Sequence, residues 1–271
     1  PCMVQTGADL FTVLHLWEQI FLAVAGPEKY MQFMYGTLDP KDPSIKQATE
    51  IFLELAETFP DDWMALDWLA AVARIIEGKG AMHCDGDWAV GIIFNVYRGV
   101  KMCSVDNVTP DCKVIVAPFP GTQGIYNMVI DAIAVTKGSR TDLGIKFARY
   151  FSSREGQIIF NLHKGSIVAY PDVSKDIYLI NIQKWEVDEY SKSKAQVLSF
   201  THGALFSDVW DMLMKKAVEL AQYKRIALDS WYETVSKALS LEKDLWIKSG
   251  LFAGSCEKPF AGVLPPWAKC S

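Results

Sequence analysis

The sequence predicts an α/β protein in which helices outnumber strands. Helical stripes of apolar residues recur along the chain, and short apolar β-prone runs fall singly between them. Single strands separated by helices favour parallel strands joined by crossover connections. The chain has 271 residues, which is enough for one large domain or two ordinary ones with a sizeable core.

Three helices are predicted in the first third of the chain. An apolar stripe with helical spacing runs over Phe11–Ala25 and ends at Gly26-Pro27, since this pair interrupts a helix. Asp42-Pro43 begins a second helix, because Pro is tolerated in the first turn and Asp caps it. Asp67 caps a third helix, which ends at Gly78.

The middle of the chain supplies the strand candidates, and helices follow them. Lys113–Ala117 is a short buried strand, and Tyr126–Val135 is a longer one that carries an acid in its middle. The remaining predicted helices are Thr141–Phe151, a helix that starts at a capping box in Ser152–Glu155 and runs to Leu162, Ala204–Tyr223 and Leu228–Trp246.

Charge and hydropathy exclude several classes of partner. The net charge is −5 and no basic residues cluster, so nucleic acid and anionic membranes are not expected partners. The most apolar run, Leu14–Ala25, contains Glu18 and is too short to cross a bilayer. No signal peptide is predicted, and because Pro1 is not an initiator the start is expected to be processed, cut or unresolved. Half of the residues are hydrophobic, which suggests that another chain or segment covers part of the surface.

Six cysteines leave two interpretations open. Cys103 and Cys112 flank a polar loop, and Cys256 and Cys270 flank a tail rich in Pro and Gly, so either pair could form a loop-closing disulfide in an oxidising compartment. The alternative is six unrelated thiols.

The segment Glu77–Gly91, EGKGAMHCDGDWAVG, brings an acid and a Trp together where a short apolar step leads into a helix. That pairing suits a ligand with polar edges and an apolar face, such as a sugar ring. The run from His83 to Asp87 contains potential metal ligands, but its spacing fits no zinc pattern, and we expect neither a metal nor a cofactor.

Several landmarks occur in a particular order along the chain. They are Trp68 at a helix start, GKGAMHCDGDW, VAPFPGTQG at 116–124, Asp131 in an apolar strand, SSREGQIIFNLHKGS at 152–166 and THG at 201–203. Together they resemble the extracellular solute-binding proteins of ABC sugar importers, family 1, in the glucose/galactose/mannose-binding branch. The likeness runs from about Gly7 to Leu239.

The resemblance implies a class II periplasmic-binding-protein-like fold with two α/β lobes joined by hinge strands. It also implies that roughly the N-terminal third of such a protein has no counterpart here. Residues 1–125 would belong to the C-terminal lobe, 126–175 to a hinge strand and a returning piece of the N-terminal lobe, and 176–271 to the C-terminal lobe and a tail. The missing part would be supplied by a second chain, removed by cleavage or absent from the structure.

The resemblance places two Trp side chains and one acid in the sugar site. Trp88 would stack on the sugar ring, although a core Trp that anchors the next helix is the alternative. Trp68 would supply a second aromatic wall, or would pack near Trp63. Asp87 would either bind the sugar or cap the helix that follows.

Three polar side chains would bind sugar hydroxyls in the same site. Asp131 matches a hinge residue that accepts from hydroxyls, and otherwise it faces solvent on an edge strand. Lys164 matches a Lys that donates to the sugar, but Val168 replaces the usual Pro and puts the local turn in doubt. His202, in a His-Gly step, would point a ring nitrogen at the sugar, and a structural or exposed His is the alternative.

No catalytic motif of the common hydrolase, protease, P-loop or dinucleotide-binding types is present, so we do not predict an enzyme. The predicted function is binding of a glucose-like monosaccharide in the cleft between the lobes, outside the cytoplasm, for delivery to an ABC permease. A membrane anchor would lie in the absent N-terminal part. The alternative is a structural or interaction subunit derived from a sugar-binding protein that no longer transports sugar.

Overall fold

Helices dominate the structure, a computed structural model that describes residues 1–251 and residue 265. The helices are α1 (Phe11–Met34), α2 (Pro43–Ala56), α3 (Trp68–Ile76), α4 (Trp88–Val96), α5 (Thr141–Phe151), α6 (Arg154–Lys164), α7 (Asn181–Lys192), α8 (Ser207–Tyr223) and α9 (Leu228–Ser249). The strands are β1 (Met102–Ser104), β2 (Val114–Val116), β3 (Ile125–Met128) and β4 (Ala195–Leu198).

The described residues form two compact units. The first unit contains Pro1–Cys84, Pro118–Val129 and the described residues from Ser193 onward, and the second contains Asp85–Ala117 and Ile130–Lys192. This division differs from the expected segments 1–125, 126–175 and 176–271, because 85–117 and 176–192 both belong to the second unit.

Each unit contains one pair of parallel strands. In the second unit β1 pairs with β2, with Met102 opposite Val114, and in the first unit β3 pairs with β4. An isolated parallel bridge also joins Met3 to Met82. The structure thus confirms an α/β protein with parallel strands, and the predicted strand at 113–117 is present as β2.

One predicted boundary is wrong and another is present as a break inside α1. The strand predicted over Tyr126–Val135 ends at Met128, because its partner β4 ends at Leu198, the residue that pairs with Met128. The predicted helix end at Gly26-Pro27 is a kink within α1: Gly26 has a non-helical backbone with a φ of 74°, and a second helical segment begins at once with Pro27 in its first turn.

The helix starts follow the predicted capping chemistry. Asp42 accepts a hydrogen bond from the backbone N–H of Ser44, and Asp67 accepts one from that of Ala70. Ser153 accepts from the backbone N–H of Gly156 and starts α6, which runs two residues further than predicted. α7 was not among the predicted helices.

Aromatic rings fill the core of the first unit, between α1, α2, α8 and α9. Trp17 stacks on Phe21 with 5.1 Å between the ring centroids, and Trp231 meets Trp17 edge-on at the same distance. Both indole N–H groups donate to the hydroxyl of Thr49, at 3.2 and 3.0 Å. The buried polar atoms of the two largest side chains therefore share one acceptor.

The second unit has a much smaller buried cluster. Val90, Ile180 and Ile182 form it, with partly buried residues of β1, β2 and α7 packed around them. Cys103 and Cys112 form the predicted disulfide beside this cluster, whereas the pair Cys256–Cys270 lies outside the described residues. The thiol of Cys2 is free and exposed. No helix in residues 1–251 is both long and apolar enough to span a bilayer.

Candidate functional site

The second unit brings Asp131 and Lys164 together. Lys164 is the last residue of α6, and its ammonium group forms an ion pair with the Asp131 carboxylate. The Lys164 side chain is 24% exposed and the Asp131 side chain 62%, so solvent reaches the pair. Asp131 does not lie in a strand as expected, because residues 129–135 have no strand partner in the described structure. An exposed carboxylate that is already charge-paired still has lone pairs available for hydroxyl donors.

Asp87 lies beside this pair but is oriented by another residue. Its carboxylate accepts a hydrogen bond from the Ser166 hydroxyl at 3.2 Å. It makes no N-cap hydrogen bond, so the capping alternative is wrong for this side chain. Burial raises the pKa of the Asp87 carboxyl, and Asp131 adds to this, whereas Lys164, the Ser166 hydrogen bond and a backbone hydrogen bond from Trp88 lower it.

Glu186 is a buried acid near Asp87 that the sequence did not single out. It lies on α7 and is 7% exposed, and its Oε2 atom has no hydrogen-bond partner among the described residues. Burial, and then the charge of Asp87, raise its pKa well above the usual Glu value. A Glu in a surface-like helical pattern gave no sign of this burial.

Trp88, the predicted stacking residue of the second unit, is half-buried. Its ring folds back over Gly86, where an added Cβ would lie only 2.2 Å from the indole. The glycine of the Gly-Asp-Trp segment therefore makes room for the aromatic ring. A half-buried indole keeps part of its apolar surface accessible.

His202 lies in the first unit, in the turn Phe200–Ala204 that follows β4. Its ring meets His15 edge-on at 4.9 Å and Phe11 at 5.3 Å. The turn requires Gly203, which takes a φ of 103°. The structure thus places His202 among aromatic rings of α1, in a position set by backbone geometry.

Glu18 anchors this turn, although it was noted in the sequence only as an interruption of an apolar run. It is fully buried in α1. Five groups donate to its carboxylate: the hydroxyls of Tyr30 and Ser199, the amide of Asn127 and the backbone N–H groups of Phe200 and Thr201. An acid at the centre of an apolar helical stripe was the available signal for such a site.

Trp68 also belongs to the first unit, as the first residue of α3. Its backbone N–H donates to Asp9 Oδ2 at 2.8 Å, and the residue is half-buried. The six predicted site residues therefore fall into two sets: Trp88, Asp87, Asp131 and Lys164 in the second unit, and Trp68 and His202 in the first.

A separate cavity of about 390 Å³ in the second unit contains none of these residues. Lys101, residues of β1 and of the loop after it, and residues of α7 line it, including Asn107 and Trp185. In the part of the chain that the structure describes, no cluster of three or more His, Cys, Asp or Glu residues could hold a metal ion.

Curated relatives of this chain are sugar-binding proteins of transport systems. The glucose-binding protein GlcS of Saccharolobus solfataricus is 28% identical over 98% of this chain and 50% of its own length. The xylose/arabinose-binding protein XacG of Haloferax volcanii is 26% identical over 74% of this chain and 42% of its own. An uncharacterized ABC transporter extracellular-binding protein of Pyrococcus horikoshii, PH1214, is 30% identical over 74% and 44%. None of these names describes an enzyme.

Solved structures show the same fold at lower identity. A chitin oligosaccharide binding protein superposes with a TM-score of 0.66 at 18% identity, over 90% of this chain and 60% of its own. The solute receptor AcbH, whose description reports an exclusive preference for β-D-galactopyranose, gives a TM-score of 0.64 at 18% identity, over 92% and 60%. No protein-family model matches the chain. The chain is thus a homologue of the extracellular sugar-binding proteins of ABC transporters, and it spans about half the length of the curated relatives it matches.

Proposed function

We propose that this chain is part of an extracellular sugar receptor that binds a glucose-like monosaccharide and delivers it to an ABC permease. The Asp131–Lys164 ion pair carries the proposal, because it presents an acceptor and a donor side by side at a solvent-accessible position. Neighbouring hydroxyls of a pyranose carry the same complementary functions, and charge-assisted hydrogen bonds to them are stronger than neutral ones. The relatives named for sugars support the same class of ligand.

The other predicted residues have complementary roles in this proposal. Trp88 offers an apolar face to the C–H side of the sugar. Trp68 and His202, in the first unit, stay predicted sugar-binding residues on the ground of the resemblance. Asp87, whose carboxylate lies near the Lys164 ammonium group, provides a further hydrogen-bond acceptor for the same sugar. The preference for a glucose-like sugar depends on the hydroxyl pattern that these groups satisfy, because a missing partner leaves a buried polar group unpaired.

Isothermal titration calorimetry with glucose, galactose, mannose, xylose and arabinose tests the proposal. We expect heat with at least one hexose, and we expect Asp131→Asn and Lys164→Met each to weaken its binding at least about tenfold, the loss of one charge-assisted hydrogen bond. Lys175→Met is the matched control, since Lys175 forms an equivalent exposed ion pair with Asp188 at 2.7 Å in the same unit. Its affinity should match that of the unmodified chain.

The titrations are repeated with a polypeptide that corresponds to the part of the relatives without a counterpart in this chain. Absence of heat with every sugar in both forms would overturn the transport proposal. That outcome would favour the alternative of a structural or interaction subunit derived from a sugar-binding protein. Equal losses of sugar affinity in Lys175→Met and Lys164→Met would instead show that the Asp131–Lys164 pair does not bind the sugar.

The proposed location and partners follow from the same relatives. The relative from Pyrococcus horikoshii, PH1214, is named as an extracellular-binding protein of an ABC transporter. We therefore expect the chain outside the cytoplasm, where the Cys103–Cys112 disulfide is stable. Protease accessibility in intact cells tests the location: digestion without lysis is expected, and full protection until lysis would contradict it.

A further inference from the structure

One face of α4 holds the C-terminal end of α6. Asp87, Gly91 and Asn95 are spaced four residues apart, so they lie in one stripe along the helix. Each of the three touches a residue of the segment His163–Ser166, which contains Lys164.

Asn95 provides the first of these contacts. Its side-chain amide donates to the backbone carbonyl of His163 at 2.8 Å and to that of Gly91 at 2.7 Å. The last carbonyl groups of a helix have no partner within the helix, so the carbonyl of His163 takes its donor from another helix instead. Asn95 thereby fixes the last turn of α6 against α4.

Gly91 and Gly165 provide the second contact, which leaves no space for a side chain. A Cβ at Gly91 would lie 2.0 Å from the backbone oxygen of Lys164 and 2.4 Å from its carbonyl carbon. A Cβ at Gly165 would lie 2.4 Å from the backbone nitrogen of Gly91, and Gly165 also takes the left-handed φ of 99° that ends α6. The backbone of Lys164 therefore rests directly on the backbone of α4.

Asp87 provides the third contact through the Ser166 hydroxyl at 3.2 Å. Its carboxylate also attracts the Lys164 ammonium group. A Lys side chain has four flexible carbons, so the position of its charge depends on how firmly its backbone is held. The three contacts hold the backbone on both sides of Lys164.

We propose that Asp87, Gly91 and Asn95 are positioning residues that fix Lys164 in its ion pair with Asp131. This proposal rests on the proposed sugar site, and it makes Asp87 a support for Lys164 in addition to a candidate ligand. The Asp of the Gly-Asp-Trp segment then begins a pattern, Asp-x3-Gly-x3-Asn. The three residues of this pattern position the ammonium group of Lys164, which belongs to α6.

Two variants test the proposal by sugar affinity. Asn95→Ala and Gly91→Ala should each weaken binding of the best sugar roughly three- to tenfold, because the ammonium group samples a wider volume. Adding either change to Lys164→Met should produce no further loss, since the group that they position is already absent. Gly138→Ala is the matched control, because a Cβ there would meet nothing within 4 Å. Asn95→Gln should restore part of the affinity.

A second measurement does not depend on sugar binding. The rate at which an amine-reactive ester labels Lys164, measured by mass spectrometry, should rise roughly threefold in Asn95→Ala. Labelling of Lys175, which pairs with Asp188 in the same unit, should stay constant. Unchanged labelling of Lys164 in a folded Asn95→Ala or Gly91→Ala variant would overturn the positioning role. A raised rate without any sugar binding would leave positioning intact and contradict only the proposed function.

Discussion

Glu18 shows how a single buried charge determines the position of a predicted site residue. Its carboxylate accepts from five donors, and three of these belong to Ser199–Thr201, directly before His202. The Tyr30 hydroxyl donates to it as well, and burial together with the Glu18 charge raises the Tyr30 pKa well above its usual value. The turn that presents His202 therefore depends on a charge that lies inside α1.

Glu18→Gln should destabilise the protein and also weaken sugar binding. The variant places an amide N–H₂ group, a donor, where five other donors already converge. Because this buried group and the donors around it lose hydrogen-bond acceptors, we expect a loss of about 2–4 kcal/mol in the free energy of unfolding. Urea denaturation measures this loss. Glu50→Gln is the control, since Glu50 is solvent-exposed in a helical ion pair with Lys46. A loss no larger than that of the control would show that the five donors find other partners.

At the scale of elements, the boundaries that depend on local chemistry were predictable. Asp42, Asp67 and Ser153 each cap the helix that the sequence assigned to them. The strand predicted over Tyr126–Val135 was too long, because a β-prone sequence forms a strand only as far as its partner extends. The pairing of distant segments, such as β3 with β4, could not be predicted, because it leaves no pattern in the local sequence.

For the candidate site, the sequence could nominate residues but not the contacts between them. Asp131 and Lys164 were chosen by resemblance, and the structure brings them into one ion pair. The sequence did not identify Glu186 or Asn95. Their roles depend on which helices pack together, and the local sequence pattern does not show this. The contact of Gly91 with Gly165 likewise becomes visible only in three dimensions.

The disulfide stabilises an element that would otherwise be weak. β1 and β2 are parallel, and parallel neighbours usually need a connection of a dozen or more residues. Here residues 105–113 join them, and the bond from Cys103 to Cys112, nine positions apart, closes this short connection. The covalent link restricts the unfolded chain and holds the two strands in register.

Replacing both Cys103 and Cys112 with Ser should lower the free energy of unfolding by about 2–3 kcal/mol, the loop-closure term for a loop of this length. Amide hydrogen exchange should also speed up in Val114–Val116, which lose their fixed partner. Cys2→Ser is the control, because its thiol is free and exposed. Equal stability of the double variant and the control would show that the strand pair does not need the bond.

At the scale of the whole molecule, the second unit exposes many apolar side chains between residues 130 and 160. α5 contains no buried residue. Some of these residues are in contact: a Cβ at Gly144 would lie 2.7 Å from Val135, and Phe151 lies between Phe147 and Phe160, at ring distances of 5.9 and 4.8 Å. The exposed side chains are Ile130, Ile133, Val135, Leu143, Ile145, Phe147, Tyr150, Ile159 and Phe160.

Large groups of exposed apolar side chains in proteins usually mark a surface that a partner covers. The chain also spans only about half the length of its curated relatives. We therefore expect the part of the relatives without a counterpart here to cover this surface.

Phe147→Ser in the chain alone should lower the fluorescence of a bound hydrophobic dye, since Phe147 is 57% exposed and contacts Phe151. Ile226→Ser is the control, because Ile226 is 90% exposed and belongs to the first unit. Adding the missing polypeptide should displace the dye from the unmodified chain, and dye fluorescence that stays constant on its addition would mean that this surface has a different partner.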